Sequence, residues 1–346
     1  MDIYRTLRIS AIRQETAACK SFFLEPEDGE RLIYAAGQFL TFVFKKETGE
    51  ERRSYSISST PSMDEPLCIT VKRQDNGEYS RRFIDYAKVG DRMLISGVAG
   101  FFVLPNNVDM FGQFFFMAAG SGITPILPLI KSLLYGYPHA RIILIYSNRA
   151  EADTIFYETI RELARKFSDR FTVEFLFSTA ANLERARLSK WLLARLFAQH
   201  SCCGPQETMC YTCGPFDYMR MVTIALLEAG VSLQHIRKEN FTHLKIDTGL
   251  QPPDKTPHNI SIAIDKKAYR FTTAYPKTIL QAAREQGISL PYSCESGRCG
   301  SCALTCLNGK VWMSYNEVLL DSEIEKGRVL TCVGFPIFGD VSLRLE

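Results

Sequence analysis

Residues 291–306 read PYSCESGRCGSCALTC, which places four cysteines, Cys294, Cys299, Cys302 and Cys306, within thirteen residues among glycine, serine and proline. The first three form CxxxxCxxC, and Cys332 follows Cys302 by thirty residues, in GRVLTCVGF. That spacing suits a two-iron, two-sulfur (2Fe-2S) cluster, in which four thiolates converge on two irons and the backbone wraps the inorganic sulfides with N–H donors. Gly297, Gly300, Ser293, Ser296 and Ser301 suit the wrap, because small residues permit unusual backbone angles and close approach. A zinc site more often shows two CxxC knuckles or histidines at ligand spacing, and neither lies near. Metal ligands are expected at Cys294, Cys299, Cys302 and Cys332, with Cys306 as a small buried apolar side chain.

A cluster that moves single electrons needs a donor, and the first 245 residues supply candidates. RRSYSISSTP, residues 52–61, alternates in the manner of a strand: Arg53, Tyr55 and Ile57 share one face, and Ser54, Ser56 and Ser58 share the other. Such a strand can set a guanidinium on a diphosphate and a phenol ring on a flavin, with the Ser56 hydroxyl near the polar edge. On spacing alone this is a weak signal, since a strand with one arginine and one tyrosine is usually only a strand. GSGITP, residues 120–125, follows the apolar run FFFMAA. There Gly120 and Gly122 allow a backbone to approach a pyrophosphate, Thr124 offers a hydroxyl, and Pro125 sits in the first helical turn, where its missing N–H costs nothing. The third glycine of the common dinucleotide fingerprint is absent. In IYSNRAEAD, Ser147, Asn148 and Arg149 favour the 2′-phosphate of NADPH, while Glu151 and Asp153 keep NADH possible. His200, Cys202, Cys203, Cys210 and Cys213 form a rival zinc set, weakened because Cys210 and Cys213 face opposite ways on a strand.

These residues need three kinds of scaffold. Residues 1–106 carry short alternating runs such as QFLTFVF, LCITVKR and RMLISGV between Gly, Pro and Asp, which predicts a small antiparallel barrel. Residues 107–246 alternate apolar strands (FFFMA, RIILIYS, FTVEFLFS, TMCYTCG) with helical stretches (PILPLIKSLL, TIFYETIRELARKF, LSKWLLARLFAQ, PFDYMRMVTIALLEAG), which predicts βαβ units on a parallel sheet. Residues 247–258 hold three prolines and little that is apolar, and read as a stiff linker. Residues 259–346 open with a hairpin, ISIAIDKKAYRF, and a short helix between Pro276 and Gly287.

The net charge of +3 asks for neither nucleic acid nor an anionic membrane. MDIYRTLRIS lacks the features of a signal peptide, so the expected location is the reducing cytoplasm, where disulfides are rare. The apolar run from Phe114 is cut by Gly120, Gly122, Pro125 and Pro128 and reads as strand, turn and helix, with no membrane span.

PYSCESGRCGSC with the distant LTC resembles a plant-type ferredoxin domain, which implies a β-grasp fold with its cluster near the surface. Glu317, Asp321, Glu323 and Glu325 form a local acidic face there, read as ordinary solvation before partner steering. Arg53, Tyr55, Ser56 and Ser59 match the RxYSxxS flavin motif of the ferredoxin-NADP reductase superfamily. VKRQDNGEYS, with Gly77 and Ser80, resembles that family's second phosphate-binding segment, where a helix N-terminus meets the pyrophosphate. GVAGFF, residues 97–102, resembles its loop near the distal half of the flavin, with Val98 where proline is usual, and implies FAD before FMN. GSGITP and the triplet Cys213, Gly214, Pro215 resemble its nicotinamide domain, in which the cysteine lies against nicotinamide and flavin; a buried strand-end thiol is the plainer alternative. KENF, residues 238–241, resembles a segment closing over the flavin, with Asn240 replacing arginine, and implies roles for Glu239 and Phe241.

The resemblance covers nearly the whole chain and implies a multidomain protein: an antiparallel β-barrel for FAD, an α/β parallel-sheet NAD(P) domain and an α+β β-grasp 2Fe-2S domain. The same order occurs in reductases of the phthalate dioxygenase and phenylacetyl-CoA epoxidase types, and the FAD motifs resemble the latter more. It implies that NADPH, or NADH, gives hydride to the flavin beside Tyr55, Ser56 and Cys213, and that electrons leave singly through the cluster to an acceptor protein, an oxygenase or similar. A reductase serving a separate carrier or a desaturase is one alternative. A non-catalytic electron-conducting or redox-sensing subunit is another, and the long gap from Cys302 to Cys332 counts against it.

Overall fold

Alternation along the first strands leaves each with one face fit for burial, and the chain curls those faces inward. The computed structural model describes residues 4–47, 49–242, 249–265 and 267–345. Strands β1 (Arg5–Thr16), β2 (Cys19–Pro26), β3 (Phe39–Lys46), β4 (Gly49–Ser56), β5 (Cys68–Lys72) and β6 (Arg92–Ala99) form one antiparallel sheet in the order β4-β3-β6-β1-β2-β5. A bridge from Ile57 to Ile69 joins the two ends of that order and closes the barrel. Leu7, Ile9, Phe22, Leu40, Phe42, Ile57, Ile69 and Ile95 fill it.

The second sheet is parallel throughout. β7 (Gln113–Ala119) lies at its centre in the order β11-β10-β7-β8-β9, with β8 (Arg141–Asn148), β9 (Phe171–Phe177), β10 (Thr208–Cys213) and β11 (Ile236–Glu239). Helices cover both faces, so β7 is apolar at consecutive positions: Phe114, Phe116 and Ala118 enter one core layer and Phe115 and Met117 the other. The helices are α1 (Ile123–Gly136), α2 (Tyr157–Lys166), α3 (Lys190–His200) and α4 (Phe216–Glu228). Helix α2 starts later than TIFYETIRELARKF suggests, because Phe156 adopts a left-handed φ of 61° while its ring is buried.

The last sheet, in the order β13-β12-β16-β14-β15, contains β12 (His258–Ile264), β13 (Lys267–Thr273), β14 (Ala303–Met313), β15 (Arg328–Leu330) and β16 (Gly334–Arg344). β12 runs parallel to β16 between antiparallel neighbours, and helix α5 (Ile279–Glu285) packs Leu280 and Ala283 onto the same core as Ile262, Leu304 and Leu343. Thr278 and Gln281 form a capping box at the start of α5, worth about 1 kcal/mol.

Three expectations change in detail. Of the linker, residues 247–248 lie outside the described residues, while Asp254 accepts a hydrogen bond from Phe338 N at 2.7 Å and pairs with His258 at 2.6 Å. That part of the linker is pinned to the third sheet. Cys306 is half-buried, because β14 bulges between Cys306 and Asn308 and turns the thiol toward the Asn308 carbonyl at 3.4 Å. The acidic face is divided: Glu317 pairs with Arg298 at 2.9 Å, and Glu323 reaches Arg237 of β11 at 3.3 Å. No helix among the described residues is long and apolar enough to cross a membrane.

Candidate functional site

Side chains of both parities of strand β4, Ser54 and Ser56 as well as the odd-numbered ones, reach one cavity. Glu51, Arg53 and Tyr55 line a cavity of about 530 Å³ that also receives Thr70 to Lys72 from β5, Gly77, Tyr79 and Ser80 from the following turn, Thr124 from α1, and Phe241. Seven of the residues singled out in the sequence therefore meet there: Arg53, Tyr55, Ser56, Gly77, Ser80, Thr124 and Phe241. Their positions follow from the barrel, since β4 and β5 approach where the Ile57 to Ile69 bridge closes it.

Tyr55 packs edge-on to Phe42 and Phe83, with centroids at 5.7 and 5.1 Å, and burial raises its phenol well above the ordinary value, so it stays neutral. Ser56 is buried, and its Oγ has no hydrogen-bond partner. A buried unpaired hydroxyl is costly and points to a polar ligand atom. Arg53 donates to Glu51 at 2.9 Å and stands 4.8 Å from the Tyr79 ring centre. Ser80 Oγ accepts from Gln74 N at 3.1 Å and donates to the Gly77 carbonyl, which braces the turn. This cavity has the size of a small-molecule cofactor site, and its arginine, its phenol and its orphan hydroxyl fit a flavin with a phosphate tail. Lys72 of the VKRQDNGEYS segment, whose Nζ stands 3.6 Å from where a Cβ on Gly120 would lie, adds a cation beside Gly77 and Ser80.

Ser59 lies elsewhere. Its Oγ bonds the Tyr34 hydroxyl at 2.8 Å and accepts from Cys68 N, so it braces the barrel behind the cavity.

The nicotinamide-side motifs interlock with each other. Gly120 takes φ of 55°, and a Cβ on Gly122 would stand 2.0 Å from the Cys213 carbonyl oxygen. Gly214 likewise packs on Ala119, with 2.9 Å from its would-be Cβ to the alanine Cβ. The room left by Gly122 and Gly214 is thus taken by the protein's own chain. Cys213 is fully buried, which raises its thiol well above the usual range, with the nearby Glu239 adding to the rise. Glu239 pairs with Cys213 across β10 and β11, and burial, with the Cys294 charge second, pushes its carboxyl up to about 8. Ser147, next to last in β8, is half-buried and Arg149 is exposed just beyond the strand, both outside the cavity, as are Gly214 and Pro215. Thr179 Oγ1 donates to the Arg149 carbonyl at 2.9 Å and fixes the backbone there.

The four predicted cluster ligands come as two pairs. Cys294 shares a hydrogen bond with Cys299, which holds Cys294 below the usual thiol range and raises Cys299; Cys332 is raised mainly by its bond with Cys302. Two thiols in contact cannot both ionise cheaply, so metal binding must release protons from each pair. Two irons with two protein sulfurs each need this arrangement, whereas one tetrahedral ion needs three or four ligands converging. In the rival zinc set, His200 Nε2 bonds Glu174 at 2.9 Å and Cys202 Sγ bonds Gln113 Oε1 at 3.4 Å. Gly297 and Gly300 adopt φ of 72° and 76°, as the wrap requires, and Glu295 joins them at 49°.

Known proteins match in the same order. A family model for an oxidoreductase FAD-binding domain matches residues 7–103, one for an oxidoreductase NAD-binding domain 116–223, and one for a 2Fe-2S iron-sulfur cluster binding domain 262–336. The ferredoxin reductase component of the 3-ketosteroid-9-alpha-monooxygenase of Mycolicibacterium smegmatis is 34% identical over 98% of this chain and 96% of its own. The chain belongs to the ferredoxin-NADP reductase family with a C-terminal 2Fe-2S ferredoxin domain. One component of the 1,2-phenylacetyl-CoA epoxidase of Escherichia coli is 28% identical to the reductase over 100% of this chain and 99% of its own. The phthalate dioxygenase reductase structure shares its fold with a TM-score of 0.60, at 24% identity over 99% of this chain and 98% of that one. The reductase carries electrons from NAD(P)H through FAD and the cluster to an acceptor. When bound, the flavin takes hydride as an electron pair and the cluster passes electrons one at a time.

Proposed function

We propose that the acceptor is the oxygenase component of a multicomponent oxygenase and that NADPH is the donor. The oxygenase reading rests on relatives that are parts of such systems, a 3-ketosteroid monooxygenase and a phenylacetyl-CoA epoxidase. The observation that carries the electron route is that Ser54, which lines the cavity together with Arg53 and Tyr55, also reaches Ser293 Oγ, beside the ligand Cys294, with its Oγ at 2.7 Å.

In this reading Arg53, Gly77, Ser80, Gly120 and Thr124 hold the phosphates, Ser59 braces the motif from behind, and Phe241 covers the ring. Tyr55 orients the flavin, Ser56 donates to its polar edge, and Cys213 and Glu239 border the place where nicotinamide meets it. Gly122, Gly214 and Pro215 hold the Cys213 turn in shape. Ser147 and Arg149 receive the 2′-phosphate; the guanidinium of Arg149 makes no ion pair among the described residues and is free to do so. Cys294, Cys299, Cys302 and Cys332 hold the cluster.

Anaerobic titration of the purified protein with NADPH and then NADH, followed by absorbance and electron paramagnetic resonance, tests the donor and the route. Bleaching of a flavin band and a reduced two-iron signal with NADPH are expected. A stronger response to NADH would overturn the role given to Arg149, and reduction of the flavin without the cluster would overturn the route. Coupling to a purified oxygenase component, read as product formed per NADPH consumed, tests the acceptor.

A further inference from the structure

The even-numbered face of β4 grips the segment that leads into the cluster ligands. Arg52 is 5% exposed, unusual for a charged side chain, and its guanidinium lies 3.6 Å from the Tyr292 ring centre. It donates to the Tyr292 carbonyl at 3.1 Å, to Tyr4 Oη at 3.1 Å and to Glu50 Oε1 at 2.7 Å. Glu50 in turn accepts from Tyr292 Oη at 3.3 Å, which completes a ring of partners around the buried cation. At the far end of the same loop, Phe101 packs onto the ferredoxin core, and a Cβ on Gly300 would stand 2.5 Å from its ring. The barrel therefore holds the cluster loop just before Cys294 and again between Cys299 and Cys302.

We propose that Arg52 and Phe101 are positioning residues that fix the cluster loop beside the flavin strand, and that the ferredoxin domain receives electrons while docked there rather than by swinging. The proposal rests on the flavin occupying the cavity lined by Arg53, Ser54, Tyr55 and Ser56. Tunnelling rates fall steeply with distance, so a loop anchored at both ends fixes the rate of the flavin-to-cluster step, and an acceptor must collect electrons from the docked domain. Arg52 suits the task because its planar fork stacks on a ring and donates sideways at once, which a lysine cannot do.

The test compares intact holoprotein with Arg52→Met, Arg52→Lys and Phe101→Ala. Anaerobic stopped-flow separates flavin bleaching by NAD(P)H from appearance of the reduced cluster, and hydrogen exchange reads the amides of residues 291–301. Iron content and the resonance signal of the reduced cluster confirm loading. Expected are bleaching rates within about twofold of the parent, cluster reduction slowed by roughly tenfold or more, and faster exchange in the loop. Arg52→Lys should behave like Arg52→Met, which a simple need for positive charge would not give. Where Arg52→Met fails to retain iron, Phe101→Ala, on another strand end, carries the test. Unchanged cluster reduction despite faster loop exchange would overturn the proposal, as would faster delivery to cytochrome c by the loosened variants. Loss of flavin bleaching itself would instead overturn the placement of the flavin in the cavity beside β4.

Discussion

Gly122 and Cys213 meet backbone to backbone, with 2.0 Å between the Cys213 carbonyl oxygen and the point where a Cβ on Gly122 would stand. A methyl group there has a carbonyl in its way, and a carbonyl in a central strand cannot yield as a flexible side chain does. Gly122→Ala should cost about 1–3 kcal/mol and displace the Cys213 turn. Thermal unfolding and the rate of flavin reduction by NAD(P)H should both fall while the flavin remains bound. An unchanged melting temperature would show that the turn relaxes freely.

Ser56 Oγ is buried and has no partner within the protein. If the flavin supplies that partner, Ser56→Ala removes one hydrogen bond, worth about 0.5–1.5 kcal/mol, or roughly twofold to tenfold in flavin affinity or reduction rate. In the flavin-free protein the same substitution should be neutral or stabilising, since it deletes an unsatisfied group. Flavin titration and unfolding of both forms separate the two effects.

Cys332 is the proposed cluster ligand farthest along the chain from the other three. Cys332→Ser should lose the reduced-cluster resonance signal and the iron, and delivery to a one-electron acceptor should fall roughly tenfold or more. Flavin bleaching by NAD(P)H should persist, because the barrel and the parallel sheet have cores of their own. Iron analysis alongside single-turnover absorbance checks both halves.

Glu239 has its carboxyl pushed from the ordinary 4.5 up to about 8, by burial first and the Cys294 charge second. A raised acid binds its proton more tightly in the folded state, so folding takes up protons between those values. Its contribution to stability is complete below about pH 4.5 and is lost as pH rises toward 8. Glu239→Gln should remove that slope, so the melting temperature of the parent relative to the variant should decline across this window. A constant difference would place the carboxyl in water.

Much of this was legible in local order. The CxxxxCxxC spacing, the alternation of β4 and the strand–helix rhythm of residues 107–246 each depend on neighbours along the chain, so periodicity and spacing expose them. Arg53 and Tyr55 line the cavity while Arg52 turns to Tyr292 and Ser54 touches both the cavity and Ser293, contacts that no spacing along β4 announces. Ser59 matched a motif and serves the barrel wall, because the bridge at Ile57 turns the chain away from the cavity after Ser56. Glu317 and Glu323 counted as a solvated face until Arg298 and Arg237 met them.

The sequence alone pointed to a 2Fe-2S cluster through the spacing of its cysteines, since ligand type and spacing are covalent facts, and to a flavin through its resemblance. Only tertiary structure decided how those centres connect: Arg52 meets Tyr292 and Phe101 meets Gly300 across some two hundred residues or more of chain. The physical reason is that such contacts arise from the packing of separately folded cores, and no local pattern encodes which surface of one core will face another.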